Sequence, residues 1–104
     1  MMWNFWQRSD GYAAPRRGSV TFPNESRSYD ATRRAVRFWG YFRSMESSFY
    51  VTTEALTRIQ PGLKQDEAGF LDAFDSHRDL ICATAARVYA GGSKGSYDLT
   101  ARDF

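Results

Sequence analysis

The sequence predicts an α+β domain in which one long helix covers one face of a small, largely antiparallel sheet. Two patterns lead to this prediction. Between residues 33 and 51, apolar and polar residues alternate, as they do along strands that bury one face. Over residues 66–89 the apolar residues instead recur at intervals of three and four, which is typical of an amphipathic helix. The predicted order is strand, strand, strand, helix, helix, strand.

The length bounds the domain organisation. A chain of 104 residues is large enough for one hydrophobic core. We place a single domain at residues 19–104 and interpret residues 1–18, which show no period and contain several turn-forming residues, as a flexible extension. No apolar run approaches the ~20 residues that cross a bilayer, and the N-terminus lacks a secretory pattern. We therefore expect a cytoplasmic protein without membrane contact.

Charge is divided unevenly along the chain, although the net charge is only +2. Residues 1–43 contain eight arginines and three acidic residues, whereas residues 44–104 contain six basic and nine acidic residues. This division indicates either an anionic partner for the first half or contact between the halves, within one molecule or between two. We favour the second interpretation.

Three strands are predicted first. Residues 19–22 alternate and end at a proline, which predicts a short strand, and residues 25–32 are polar and turn-like. Residues 33–39 and 45–51 alternate, and their short connection predicts an antiparallel hairpin with a turn over residues 40–44. The alternation assigns four hairpin side chains to the core: Val36, Phe38, Phe49 and Val51.

Two helices and a last strand follow. Thr52 is the predicted N-cap of a short helix over residues 53–60. The long helix over residues 66–89 begins with acidic residues and ends before Gly91-Gly92, as the helix dipole and C-cap preferences favour. A final strand is predicted over residues 95–103. The apolar stripe of the long helix contains Phe70, Phe74, His77, Ile81, Ala85 and Val88.

A series of short motifs runs through this domain in a fixed order. They are Val20-Thr21-Phe22-Pro23, Ser28-Tyr29-Asp30-Ala31, Val36-Arg37-Phe38-Trp39-Gly40, Ser48-Phe49-Tyr50-Val51, Ala73-Phe74-Asp75-Ser76-His77-Arg78 and Tyr97-Asp98-Leu99-Thr100. Together they resemble the bacterial domain-of-unknown-function 1488 family over residues 19–104. The resemblance implies a small α+β domain with no established activity, so it leaves the function open.

His77 is the only histidine and the first candidate for a catalytic base. At 100° per residue it projects among the apolar residues of the helix, whereas Asp72, Asp75 and Asp79 project to the opposite side. The helix therefore offers it no carboxylate partner, and we interpret it as a structural histidine at the boundary of helix and sheet. The alternative is an enzyme built around His77 and a carboxylate from elsewhere, such as Asp103.

Three further features of the sequence are better explained structurally than as sites. Cys82 lies about 140° around the helix from His77, so the two cannot form a catalytic dyad, and we expect a partly buried apolar side chain. The three aspartates of the helix are interpreted as its solvated face. Residues 91–96 are glycine-rich like a phosphate loop, but they follow a helix and precede a strand. We predict no catalytic residue, metal site or cofactor.

The second face of the hairpin is the candidate interaction surface, formed by Arg33, Arg37, Trp39, Ser48 and Tyr50. Basic, aromatic sheet faces can stack bases and pair with phosphates. Cross-strand arginine and aromatic pairs also stabilise exposed sheets, and a second subunit or the N-terminal segment can cover such a face. We expect a small non-enzymatic interaction or accessory domain. A protein partner or self-association as a homodimer is favoured, and a nucleic-acid-binding module is the alternative.

Overall fold

The computed structural model describes residues 20–89 and 95–104. Its elements are β1 (Arg27–Asp30), β2 (Ala35–Phe42), β3 (Met45–Thr52), α1 (Thr53–Ile59), α2 (Glu67–Ser76), α3 (Arg78–Val88), β4 (Ser96–Leu99) and a terminal 3-10 turn, Ala101–Asp103. The sheet has the order β1-β2-β3-β4, with two antiparallel pairs and a parallel pair between β3 and β4. The predicted α+β class and largely antiparallel sheet are confirmed.

The central hairpin forms as the alternation predicts, with Val36 opposite Val51 and Phe38 opposite Phe49. All four side chains are at most 1% exposed, in the core shared with the helices. The strands extend further than predicted, and the turn is only Arg43-Ser44, with φ of 52° and 68°. Two left-handed residues produce the twist that joins tightly paired strands, although non-glycine residues adopt this conformation at some cost.

The first strand was predicted at the wrong place. Within the described part of residues 19–22, Thr21 makes only an isolated bridge to Tyr41, and β1 lies instead in the stretch predicted to be a turn. Tertiary contacts explain β1, because Tyr29 stacks on Phe70 of α2 with ring centroids 5.4 Å apart. A polar four-residue segment has too little alternation to reveal such contacts.

The prediction of one continuous helix over residues 66–89 is wrong, because the helix breaks at His77. This residue has φ −120° and ψ 24°, and its N–H is shared between the carbonyls of Ala73 and Phe74 at 3.1 and 3.2 Å. The apolar stripe nevertheless continues across the break, since Phe74 and Ile81 are both fully buried. His77 itself is half-buried, and its Nε2 lies 3.1 Å from Oε1 of Gln60.

The caps of the first two helices follow the sequence closely. Oγ1 of Thr52 accepts a hydrogen bond from the Ala55 N–H at 3.1 Å, which confirms the predicted N-cap of α1. Oδ1 of Asp66 likewise accepts from the Gly69 N–H at 2.8 Å at the start of α2. The two caps satisfy backbone donors that a helix leaves free at its first turn.

The last predicted strand is shorter than expected, because β4 ends at Leu99 and the chain turns. Oδ2 of Asp103 accepts hydrogen bonds from the backbone and the hydroxyl of Thr100, at 2.7 and 3.3 Å, which closes the 3-10 turn. The predicted N-terminal extension and the Gly91-Gly92 stop lie outside the described residues. Across residues 20–89 and 95–104, no helix is long and apolar enough to span a bilayer.

Candidate interaction surface

The sheet has one face toward the helices and one away from them, which we call the outer face. Alternation along β2, β3 and β4 assigns ten side chains to it, namely Ala35, Arg37, Trp39, Tyr41, Glu46, Ser48, Tyr50, Thr52, Ser96 and Asp98. The register places Arg37 opposite Tyr50 and Trp39 opposite Ser48. Four of the five residues predicted from the sequence are therefore cross-strand neighbours.

Arg37 lies near the middle of the outer face and is held in place from several sides. Its Nε and Nη2 donate hydrogen bonds to Oγ of Ser48 at 3.3 and 3.0 Å. Its Cζ lies 4.9 Å from the ring centroid of Trp39 and 5.8 Å from that of Tyr50, within the range of cation–π attraction. No carboxylate of the described residues forms an ion pair with it.

Arg33 was predicted to lie on the second strand, but it lies in the turn before β2. Its side chain still reaches the outer face, with Cζ 3.8 Å from the ring centroid of Tyr50. Its Nη2 is 3.4 Å from Oδ1 of Asp98, in a pair whose side chains are 44% and 62% exposed. At such exposure the pair contributes ~0–1 kcal/mol. The carboxylate of Asp30 accepts a hydrogen bond from the Arg33 N–H at 3.0 Å and so fixes the turn.

Asp98 and Glu46 belong to this surface but were not predicted as part of it. In the sequence Asp98 alternates with Tyr97 and Leu99, but the pairing of β4 with β3, which places Asp98 beside Tyr50, requires the tertiary structure. Glu46 accepts a hydrogen bond from the Tyr41 hydroxyl at 3.1 Å, which raises the pKa of Tyr41 above its ordinary value. The outer face thus carries carboxylates as well as arginines.

A shallow cavity of about 320 Å³ lies beside Arg33, near the first residue of β2. It is lined by Arg33, Ala35, Tyr50, Thr52, Asp98 and Thr100. Ala35 is only 1% exposed, whereas the other lining side chains are polar or aromatic. The cavity is therefore a polar depression suited to a side chain and not an enclosed apolar pocket.

The remaining candidates are dispersed. His77 contacts the amide of Gln60, whereas the carboxylate of Asp103 accepts hydrogen bonds from Thr100. Cys82 is half-buried, as expected, and burial raises the pKa of its thiol. The aspartates Asp72, Asp75 and Asp79 are exposed. Among the described residues, no group of three or more histidine, cysteine or acidic side chains is arranged to hold a metal ion.

The fold and the outer face together define a small two-layer α+β domain. A family model described as a protein of unknown function, DUF1488, matches residues 20–100, and the chain belongs to this family. A crystal structure of a DUF1488 protein of unknown function from Shewanella loihica PV-4 is similar, with a TM-score of 0.68 and 19% sequence identity. The match covers 79% of this chain and 92% of that one, and at this identity it shows the fold alone. No curated protein matches the chain.

Proposed function

We propose that this chain is a small, non-enzymatic protein-interaction domain that contacts its partner through the outer face. The observation that carries the proposal is the environment of Arg37, which two aromatic rings and Ser48 hold in place while no described carboxylate pairs with it. We place the domain in the bacterial cytoplasm, where a free thiol such as that of Cys82 stays reduced.

The residue types of the outer face support a protein contact. Arginine, tryptophan and tyrosine are the side chains that most often dominate the binding energy of protein interfaces. Trp39 and Tyr50 are half-buried, so both are partly ordered before a partner arrives but still offer surface to it. Such preorganisation lowers the entropic cost of association.

Nucleic acid is the second candidate, because the outer face is both basic and aromatic. Two features of the geometry favour protein over it. The guanidinium of Arg33 already lies 3.8 Å from the Tyr50 ring, so a base stacking on that side must displace it. Glu46 and Asp98 also place carboxylates on the same face, where they repel a phosphate backbone.

The proposal is tested by affinity capture from the native cell lysate after nuclease treatment. The bait is the full chain, compared with an Arg37→Ala, Trp39→Ala double variant. Leu80→Ala is the control, because Leu80 is a 48% exposed apolar residue on α3, in the helix layer. We expect a protein that the wild type and the control retain and the double variant loses.

Two results would contradict the proposal. The first is equal retention of the captured protein by the double variant, provided that its melting temperature shows it to be folded. The second is loss of all specific capture on nuclease treatment, together with steeply salt-dependent retention of single-stranded nucleic acid by the wild type, which would establish the nucleic-acid function instead.

A further inference from the structure

We propose that the partner contributes an acidic segment to the outer face and that one of its carboxylates binds Arg37. This inference rests on the proposed function, because it names the chemistry of the partner that the same surface takes. It commits to a peptide-like segment of another protein, in preference to a second copy of this chain or a nucleic acid.

The guanidinium of Arg37 has donors left for such a carboxylate. An arginine carries five N–H groups in a fixed planar fork. The N–H of Nε and one N–H of Nη2 donate to the neutral hydroxyl of Ser48. The other N–H groups of the guanidinium remain available to a ligand. Because the rings of Trp39 and Tyr50 lie beside the guanidinium, its plane is oriented in advance. A planar, oriented fork is the arrangement that binds a carboxylate through two parallel hydrogen bonds.

The charges around Arg37 also select a single negative group. Asp98 pairs with Arg33, and Glu46 accepts a hydrogen bond from the Tyr41 hydroxyl. Arg37 is thus the cation of the outer face without a charged partner among the described residues. One carboxylate above Arg37 gives this guanidinium the charged partner that it lacks, whereas a row of phosphates would meet Glu46 or Asp98 on either side.

The size of the outer face favours a segment over a second domain. The four strands contain 4, 8, 8 and 4 residues, which at ~3.3 Å per residue and ~4.8 Å between strands cover a flat outline of roughly 400 Å². Specific interfaces between folded proteins bury about 800 Å² on each partner. The outline of the face matches a stretch of extended chain or one helix, whereas a folded domain would need further surface outside it.

The test uses short random peptides displayed on phage and selected against the immobilised full chain. We expect aspartate and glutamate to be enriched in the peptides that the wild type retains. A selected peptide is then synthesised in two forms, one with its acidic residues and one with the matching amides. Replacing the carboxylate that contacts Arg37 should weaken binding by about ten-fold or more, the effect of losing a charge-assisted hydrogen bond.

Variants of the protein locate the contact. Arg37→Gln should weaken binding of the acidic peptide by about ten-fold or more, and Arg37→Lys, which keeps the charge but not the fork, should weaken it less. Arg58→Gln is the matched control, because Arg58 is an exposed arginine in the last turn of α1 and its loss changes the net charge equally. We expect the control to bind like the wild type.

The outcomes separate the inference from the proposed function. If selected peptides bind through Trp39 but the amide form binds as well as the acidic form, the acidic partner is refuted and the interaction surface stands. If binding survives Trp39→Ala and Arg37→Ala together, both are refuted. A dimer of the wild type that Arg37→Gln dissociates, or an oligonucleotide that displaces the peptide, would overturn the inference in favour of a second copy or of nucleic acid.

Discussion

Arg27 and Asp75 join the edge strand β1 to helix α2 through two parallel hydrogen bonds. Nε of Arg27 lies 2.8 Å from Oδ1 of Asp75, and Nη2 lies 2.7 Å from Oδ2. This fork-to-fork geometry is the most favourable that an arginine and a carboxylate can adopt. The bridge therefore fixes β1 against the helix layer, in a stretch whose polar sequence alone did not predict a strand.

The bridge predicts a pH-dependent part of the stability. The hydrogen bond from Arg27 lowers the pKa of Asp75 in the folded protein. As the pH falls through the ordinary aspartate range near ~3.9, the unfolded chain takes up a proton before the folded one, so the stabilisation is present above this range and lost below it. Since the two side chains are 31% and 47% exposed, we expect a contribution of only ~0.5–1 kcal/mol at neutral pH.

Urea denaturation of Asp75→Asn and the wild type from about pH 6 to about pH 3 measures this contribution. The difference in unfolding free energy should shrink as the pH falls. Asp72→Asn is the control, because Asp72 is exposed on the same helix and makes no hydrogen bond to Arg27. Equal stability of Asp75→Asn and the wild type at neutral pH would show that the bridge contributes nothing.

Phe74 is expected to be the most costly residue to truncate in α2. It is fully buried, and its ring centroid lies 5.0 Å from that of Phe38 in the sheet. Phe74→Ala should lower the free energy of unfolding by ~3–5 kcal/mol, through lost apolar burial and the cavity left behind. Chemical denaturation tests this, with Leu80→Ala as the exposed control. A near-wild-type transition for Phe74→Ala would contradict the packing of helix on sheet.

Gly40 is required in β2 for steric reasons. A Cβ atom at this position would lie 2.7 Å from Cε2 of Phe22 and 2.8 Å from Cγ2 of Val20. Gly40→Ala should therefore cost ~1–3 kcal/mol, the usual penalty of overpacking, as residues 20–22 are pushed from the sheet. Gly95→Ala is the matched control, because a Cβ atom at Gly95 would have none of the described atoms within 4 Å. Equal melting temperatures of the two variants would contradict this close approach.

Cys82 is expected to react slowly with alkylating reagents. Burial raises the pKa of its thiol, which lowers the fraction of reactive thiolate near neutral pH. The rate of modification by iodoacetamide should be several-fold lower in the folded protein than in urea, and it should continue to rise with pH beyond the range of an ordinary thiol. A folded-state rate equal to that of the unfolded chain would indicate an accessible, activated cysteine.

Much of the architecture follows from local patterns. Alternation identified the buried hairpin residues such as Phe38 and Phe49, and the cap at Thr52 was evident from its place before a helical stretch. The same alternation placed Arg37, Trp39, Ser48 and Tyr50 together on the second face. These predictions succeeded because period and capping depend on neighbours in the chain.

Contacts between distant residues decided the rest. No proline or glycine marks the break of the helix at His77. The imidazole of His77 contacts the side chain of Gln60, which belongs to another segment of the chain. The pairing of β1 with β2 and the parallel placement of β4 bring Asp75 to Arg27 and Asp98 to Arg33. Residue types and periods reveal which side of an element is buried, but the order of strands and the charges that meet across them depend on how the elements pack in three dimensions.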